Sequence, residues 1–274
     1  ADIQTNIHYD ISKKWQMSFL GNISQNKYLY QPLTRETKFG TIDQPMSLAV
    51  YYEGKERDQY DTYFGALKTT YKVSSSFTLK FIGSLFHTIE QEHFDILAQY
   101  RLGNVGEDQT AQVDFTRGIG SQLSHARNDL DALIANAEVK GFKEWKNDSQ
   151  LEFGLKYTRE SIRDRIVEWE MIDSAGFSIN PPIAVLPQNN QPYQPYTGPL
   201  LPYQDVRATN YNTINRFSGY AQYNKKTEIG SNQVWYNVGA RFQSWNVSGA
   251  AVDGKNQIVF SPRAQFAIKP DWEK

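Results

Sequence analysis

Apolar and polar residues alternate one for one through segment after segment of this chain, and that rhythm leaves few folds open. Trp15, Met17, Phe19, Gly21 and Ile23 interleave with Gln16, Ser18, Leu20, Asn22 and Ser24. Tyr63, Gly65, Leu67, Thr69 and Tyr71 interleave with Thr62, Phe64, Ala66, Lys68 and Thr70. The pattern returns at 77–85, 133–139, 151–157, 217–223, 234–242 and 260–268. Successive side chains on an extended backbone point to opposite faces, so a period of two marks strands with two unlike faces. With a weaker stripe at Ile3, Thr5, Ile7 and Tyr9 there are about nine strands, and the fold class is all-β and antiparallel. Pro262 falls within the last stripe, where it removes a ladder donor and predicts a bulge or a local edge.

The connections narrow the choice further. Short links at 12–14, 72–76, 143–148 and 225–232 alternate with long ones at 25–60, 95–128, 165–208 and 246–256. A strict short and long rhythm puts all tight turns at one end of the sheet and all long loops at the other. That is the asymmetry of bacterial outer-membrane barrels, and a soluble sandwich has no reason to keep it. Ten residues at about 3.3 Å each, tilted near 45°, rise roughly 23 Å, which matches the apolar band of an outer membrane. Tyr9, Trp15, Tyr71, Phe77, Tyr223 and Trp272 sit near the short-turn ends of the stripes, where an interfacial girdle of aromatic rings belongs. The expectation is a transmembrane antiparallel β-barrel segment in the bacterial outer membrane, with outer-membrane lipid against its apolar face.

Composition agrees with this and excludes alternatives. No run approaches the 18 apolar residues of a helical span, yet a barrel wall shows lipid only every second residue and so remains polar on average. A net charge of −1 gives no bulk attraction to nucleic acid. The absence of Cys removes disulfides and thiolate metal sites.

Two stretches resemble a known family: LEFGLKYTRESIRDRIVEWEMIDSAGFSINPP at 151–182 and FSPRAQFAIKPDWEK at 260–274. Both are similar to the barrel of TonB-dependent outer-membrane receptors of the Bacteroidota, of the type with a carboxypeptidase-regulatory-like extension. The resemblance implies a 22-stranded barrel plugged by an N-terminal domain, importing a scarce ligand with energy delivered through TonB. Its plug, TonB box and aromatic-ended last strand have no matching positions, so no functional residue is carried over. Residues 1–274 are then expected to form one partial barrel, without a plug domain, signal peptide or C-terminal closing strand. The implied partners are the TonB complex, reached through a plug outside this segment, an unidentified ligand and a surface lipoprotein.

Candidate chemistry is sparse, and we expect neither a cofactor nor an enzyme. His87 and His93 share a face in HTIEQEH but stand about 20 Å apart along a strand, too far for one metal ion. Asp253, Gly254, Lys255 and Asn256 read as a hairpin turn sooner than as a calcium loop. Lys68, Lys80, Glu138, Lys140, Glu152, Lys156, Arg216, Arg241 and Arg263 fall on the polar face, as the lining of a wet lumen. The segment 180–203 holds seven prolines beside Tyr193, Tyr196 and Tyr203. Proline lowers the entropy lost on ordering and tyrosine offers a flat ring with a polar tip, so these three tyrosines are the ligand-binding candidates. Three rivals stand beside import through TonB: a passive or fatty-acid-type channel, a barrel enzyme and a soluble β-rich adhesion domain.

Overall fold

The computed structural model describes residues 1–105, 114–174, 177–178, 201–250 and 252–270. They form one antiparallel sheet and nothing else. Nine strands follow one another in chain order along its main path. They are β1 (Asp2–Ser12), β2 (Trp15–Tyr30), β4 (Pro45–Ser74), β5 (Phe77–Asn104), β6 (Asp114–Trp145), β7 (Ser149–Ser174), β9 (Gln204–Ile229), β10 (Asn232–Gly249) and β11 (Val252–Lys269). Two short strands lie off it: β3 (Arg35–Gly40) on β4, and β8 (Phe177–Ser178) on β7. The path runs from β1 to β11 without closing.

The expected strand count holds for the main path, but the strands are far longer than the apolar stripes. β4 runs for 30 residues and β6 for 32, so much of what reads in sequence as loop at 25–60, 95–128 and 165–208 is paired strand. The reason is physical. Where the side chains on both faces of the sheet are polar, the contrast between faces fades while the backbone ladder continues. The expected long link at 246–256 is also corrected, because β10 ends at Gly249 and β11 begins at Val252. Asp253 to Asn256 therefore lie in a strand, with Lys255 opposite Val247 and Asn256 opposite Asn246, and form no turn. Pro262 causes no bulge. It pairs in register with Ala240, and the missing donor is tolerated because β11 is an edge strand.

Register fixes the lean of the strands. Trp15, Tyr71, Leu79, Gly141, Phe153, Ala221 and Ala240 form one lateral row. Trp15 opens its strand, whereas Ala240 lies eight residues past Asn232, which opens β10. That slip over six strand steps is roughly 1.3 residues, or 4 Å, per strand spacing, which sets a lean of roughly 40°, typical of barrel walls.

Candidate functional site

Two faces of one sheet have to be separated before any site is placed. Partners in the ladder share a face, so the register sorts every side chain. One face carries Ile7, Phe19, Leu67, Phe81, Leu85, Leu155, Phe217, Val238 and Phe266, whose exposures run from 40 to 65 %. Among the described residues the buried apolar ones are Ala49, Ala98, Ala126, Ala132 and Val234, too few and too small to be a soluble core. A single layer with its large apolar side chains outside needs an apolar surround. Glycines on this face are covered by rings: a Cβ on Gly141 would collide with Phe153, and one on Gly219 with Phe242 and Leu155.

Rings border this apolar band at both ends. Near the short turns Trp15 meets Tyr71 at 6.3 Å, Trp145 meets Tyr223 at 6.3 Å, and Tyr223 meets Tyr236 at 6.2 Å. At the other end Tyr63 lies 6.2 Å from His87, and Tyr157 Oη donates to Asn215 at 2.7 Å. Above that line the same face becomes polar, with Asp61, Asp131, Arg159 and Asn215 as its first residues. Eight residues separate Tyr71 from Tyr63 on β4 and Tyr223 from Asn215 on β9, a height of roughly 20 Å at this lean. Of the girdle residues expected from sequence, Trp15, Tyr71 and Tyr223 are in these ring contacts; Trp272 lies outside the described residues.

The opposite face holds all nine charged residues expected there. Lys68, Glu138 and Lys156 occupy one lateral row, and Lys80, Lys140 and Arg241 another. Around a hollow of about 360 Å³, Tyr220 donates to Glu152 at 2.6 Å, Gln222 to Glu152 at 3.1 Å, and Lys140 pairs with Glu138 at 3.2 Å. Lys80 lies 4.6 Å from the centre of the Phe142 ring. Gly154 leaves room for the Tyr220 ring, which a Cβ there would meet at 2.5 Å. A larger hollow of about 740 Å³ lies above it, lined by Asn136, Lys156, Thr158, Glu160 and Arg216 among others. There Arg216 pairs with Glu160 at 3.2 Å, and Thr158 donates to Asn136 at 2.7 Å. Charges of both signs neutralise one another locally, which suits a wall facing water or a polar plug and gives no strong ion selectivity.

Beyond the band, the polar face carries an acidic cluster that the sequence reading missed. Asp58 and Glu92 are ladder partners, with Glu56 and Glu90 on the same face. Burial, then repulsion from Asp58 and Glu92, raises Glu56 above the ordinary carboxylate value. Burial and Glu92 do the same to Asp58, one of whose oxygens is buried without a partner. The signal in sequence is the pair of period-two acid doublets at 56 and 58 and at 90 and 92, legible only once the hairpin register is known. Among the described residues no group of three or more His, Cys, Asp or Glu is arranged to hold a metal ion.

The histidines are drawn into pairs instead. His87 meets Asp131 at 2.8 Å, His93 meets Asp129 at 2.9 Å, and His125 meets Asp95 at 2.6 Å while stacking on Trp169 at 4.8 Å. Burial opposes ionisation of Asp95, yet hydrogen bonds from Arg127 and His125 outweigh it and hold its carboxyl below the ordinary range. Of the ligand-binding candidates, Tyr193 and Tyr196 lie outside the described residues. Tyr203 stands just before β9, half exposed, with its N–H donating to the Glu170 carbonyl at 2.6 Å.

No family model and no curated protein matches this chain. Among solved structures, it is similar to the ferric preacinetobactin receptor BauA of Acinetobacter baumannii, with a TM-score of 0.32 and 11 % identity. The match covers 97 % of this chain and 42 % of that one, so the chain spans less than half the length of that receptor. A likeness at this score settles neither fold nor function.

Proposed function

We propose that this chain is a wall segment of a TonB-dependent receptor that imports a scarce ligand across the bacterial outer membrane. The observation that carries the reading is the band of exposed apolar side chains between two borders of rings, on strands whose other face is charged and hydrogen-bonded. Outer-membrane lipid covers the band, and a plug elsewhere in the longer protein fills the polar side and reaches the TonB complex. The long-strand end faces outward, where ligand or a surface lipoprotein meets Tyr193, Tyr196 and Tyr203. No catalytic role is assigned, and no cofactor. The mixed charges on the polar wall, paired as Lys140 with Glu138 and Arg216 with Glu160, argue against a strongly ion-selective channel.

The test uses the full-length protein. It is expected in the outer-membrane fraction and to need detergent, and Tyr193→Ala, Tyr196→Ala and Tyr203→Ala together lower energy-dependent uptake without changing assembly. Stable monodisperse protein in plain buffer sinks the membrane reading. Unchanged uptake by the triple variant removes the loop from ligand contact.

A further inference from the structure

Just above the upper border, the lipid-facing side of β7 presents Arg159, Ser161, Arg163 and Arg165 in succession. All three arginines are exposed. Arginine so close to an aspartate row would ordinarily be neutralised by it, since Arg163 is the ladder partner of Asp131 and Arg165 of Asp129. Here the acids are engaged from the other side. His87 holds Asp131 at 2.8 Å and His93 holds Asp129 at 2.9 Å, which leaves Arg165 a long contact of 3.8 Å. Among the described residues, neither Arg159 nor Arg163 has an ion pair. On the other flank β9 sets Asn215 beside Arg159, Thr213 beside Ser161, and Tyr211 beside Arg163, all uncharged donors.

We infer that this ladder binds the phosphorylated sugar headgroup of an outer-leaflet lipid. The inference rests on the membrane reading above, because it is the apolar band that sets these residues at headgroup depth. Guanidinium groups match phosphate oxygens in a bidentate fashion, and exposed arginines near a bilayer surface gain from anionic lipid. Arg159 and Arg163 are four strand residues apart, roughly 13 Å, so they fit a headgroup with a phosphate at each end better than a single anion. The neighbouring Ser161, Thr213 and Tyr211 hydroxyls supply donors for the sugar between them. The apolar rows below, with Leu155, Tyr157 and Phe217, lie where the acyl chains of the same lipid would run.

The test is lipid retention by the full-length protein in phosphatidylcholine nanodiscs doped with bisphosphorylated lipid A or with the same lipid stripped of phosphate. The wild type is expected to retain the bisphosphorylated form preferentially, and Arg159→Gln with Arg163→Gln to lower that preference roughly tenfold. Arg163→Gln alone, a surface change, shows a smaller drop of the same kind, so a folding defect in the double variant does not mask the result. Equal retention of both lipids by the wild type, or full preference in the double variant, overturns the inference while leaving the membrane reading intact. Loss of bound lipid A to millimolar inorganic phosphate overturns it too, in favour of a free-anion site. A wild type that enters neither nanodisc overturns the membrane reading and this inference with it.

Discussion

The half of the sheet next to the short turns and the half beyond the upper ring border share strands, register and alternation, yet differ in what covers their outer face. Below the border, Leu67, Phe81, Leu155 and Val238 point out and are exposed. Above it, the same columns carry Asp61, Gln91, Arg163 and Asn246, and His–Asp and Arg–Asp pairs replace aliphatic contacts. Backbone pairing is indifferent to this change, since every strand extends its ladder through the border. Hydrogen bonding thus builds the wall, and only the side chains distinguish its two halves.

The largest expected effect breaks that comparison by exchanging the two solvation regimes. An arginine in the middle of the band costs roughly 2–4 kcal/mol on the lipid face and about 0–1 kcal/mol near or beyond the interface. Phe81→Arg and Val238→Arg are expected to block assembly of the complete barrel. Gln91→Arg, on the face and strand of Phe81 but ten residues further along, and Asn237→Arg, beside Val238 on the polar face, leave assembly intact. The readout is the heat-modifiable folded band in cold-loaded gels. If Asn237→Arg is as damaging as Val238→Arg, the two faces are misassigned; if Gln91→Arg is as damaging as Phe81→Arg, the upper border is misplaced.

This contrast also explains what was legible from sequence. The nine-strand path and the nine-residue charged lining were readable because an apolar face opposite a polar one imposes a period of two. The upper halves of β4 to β7 were not, because Arg57, Gln59, Glu90, Gln91 and Glu92 satisfy both faces with polar atoms and blur the period. Asp253 and Gly254 misled for a related reason. The local preference of Asp-Gly for turns is small beside a ladder that already fixes Lys255 opposite Val247. The His–Asp pairs and the Glu56, Asp58 and Glu92 cluster depend on contacts between strands, and no spacing within one strand encodes them.

A smaller effect sharpens the comparison through pH. Glu56 and Asp58 have raised pKa values, so their stabilising contribution is present when they are protonated and is lost as pH rises through those raised values. The upper end of β4 and β5 is therefore less stable at neutral pH than in mild acid. Asp58→Asn removes the charge and supplies an N–H that donates to the neighbouring Glu56 or Glu92 carboxylate, worth about 1 kcal/mol at neutral pH. The gain is expected to vanish once acid has protonated the wild-type carboxyls, as read by hydrogen exchange of the β4 and β5 amides at both pH values. A pH-independent gain would mean that Asp58 is not strained by its neighbours. Asp95 has the opposite sign: its lowered pKa makes its contribution complete above the ordinary carboxylate value and lost as pH falls through the folded value.

The smallest effect tests the border itself. Tyr157 is the last ring on the outer face of β7 below Arg159, and its hydroxyl donates to Asn215 on β9 at 2.7 Å. A ring at an interface keeps its body among acyl chains and its polar tip in the headgroup layer. Tyr157→Phe keeps the body and loses one partly exposed hydrogen bond, so it costs about 0.5–1 kcal/mol. Tyr157→Leu also loses the ring and costs somewhat more, while Asn215→Ala matches Tyr157→Phe because it removes the same bond from the other side. In the double variant Tyr157→Phe with Asn215→Ala, the two losses are expected to be less than additive, since the bond is broken only once. Denaturant titration of the folded barrel in detergent measures all four. Strictly additive losses would show that the hydroxyl and the amide act separately, and the upper border would then rest on Tyr63 and His87 alone.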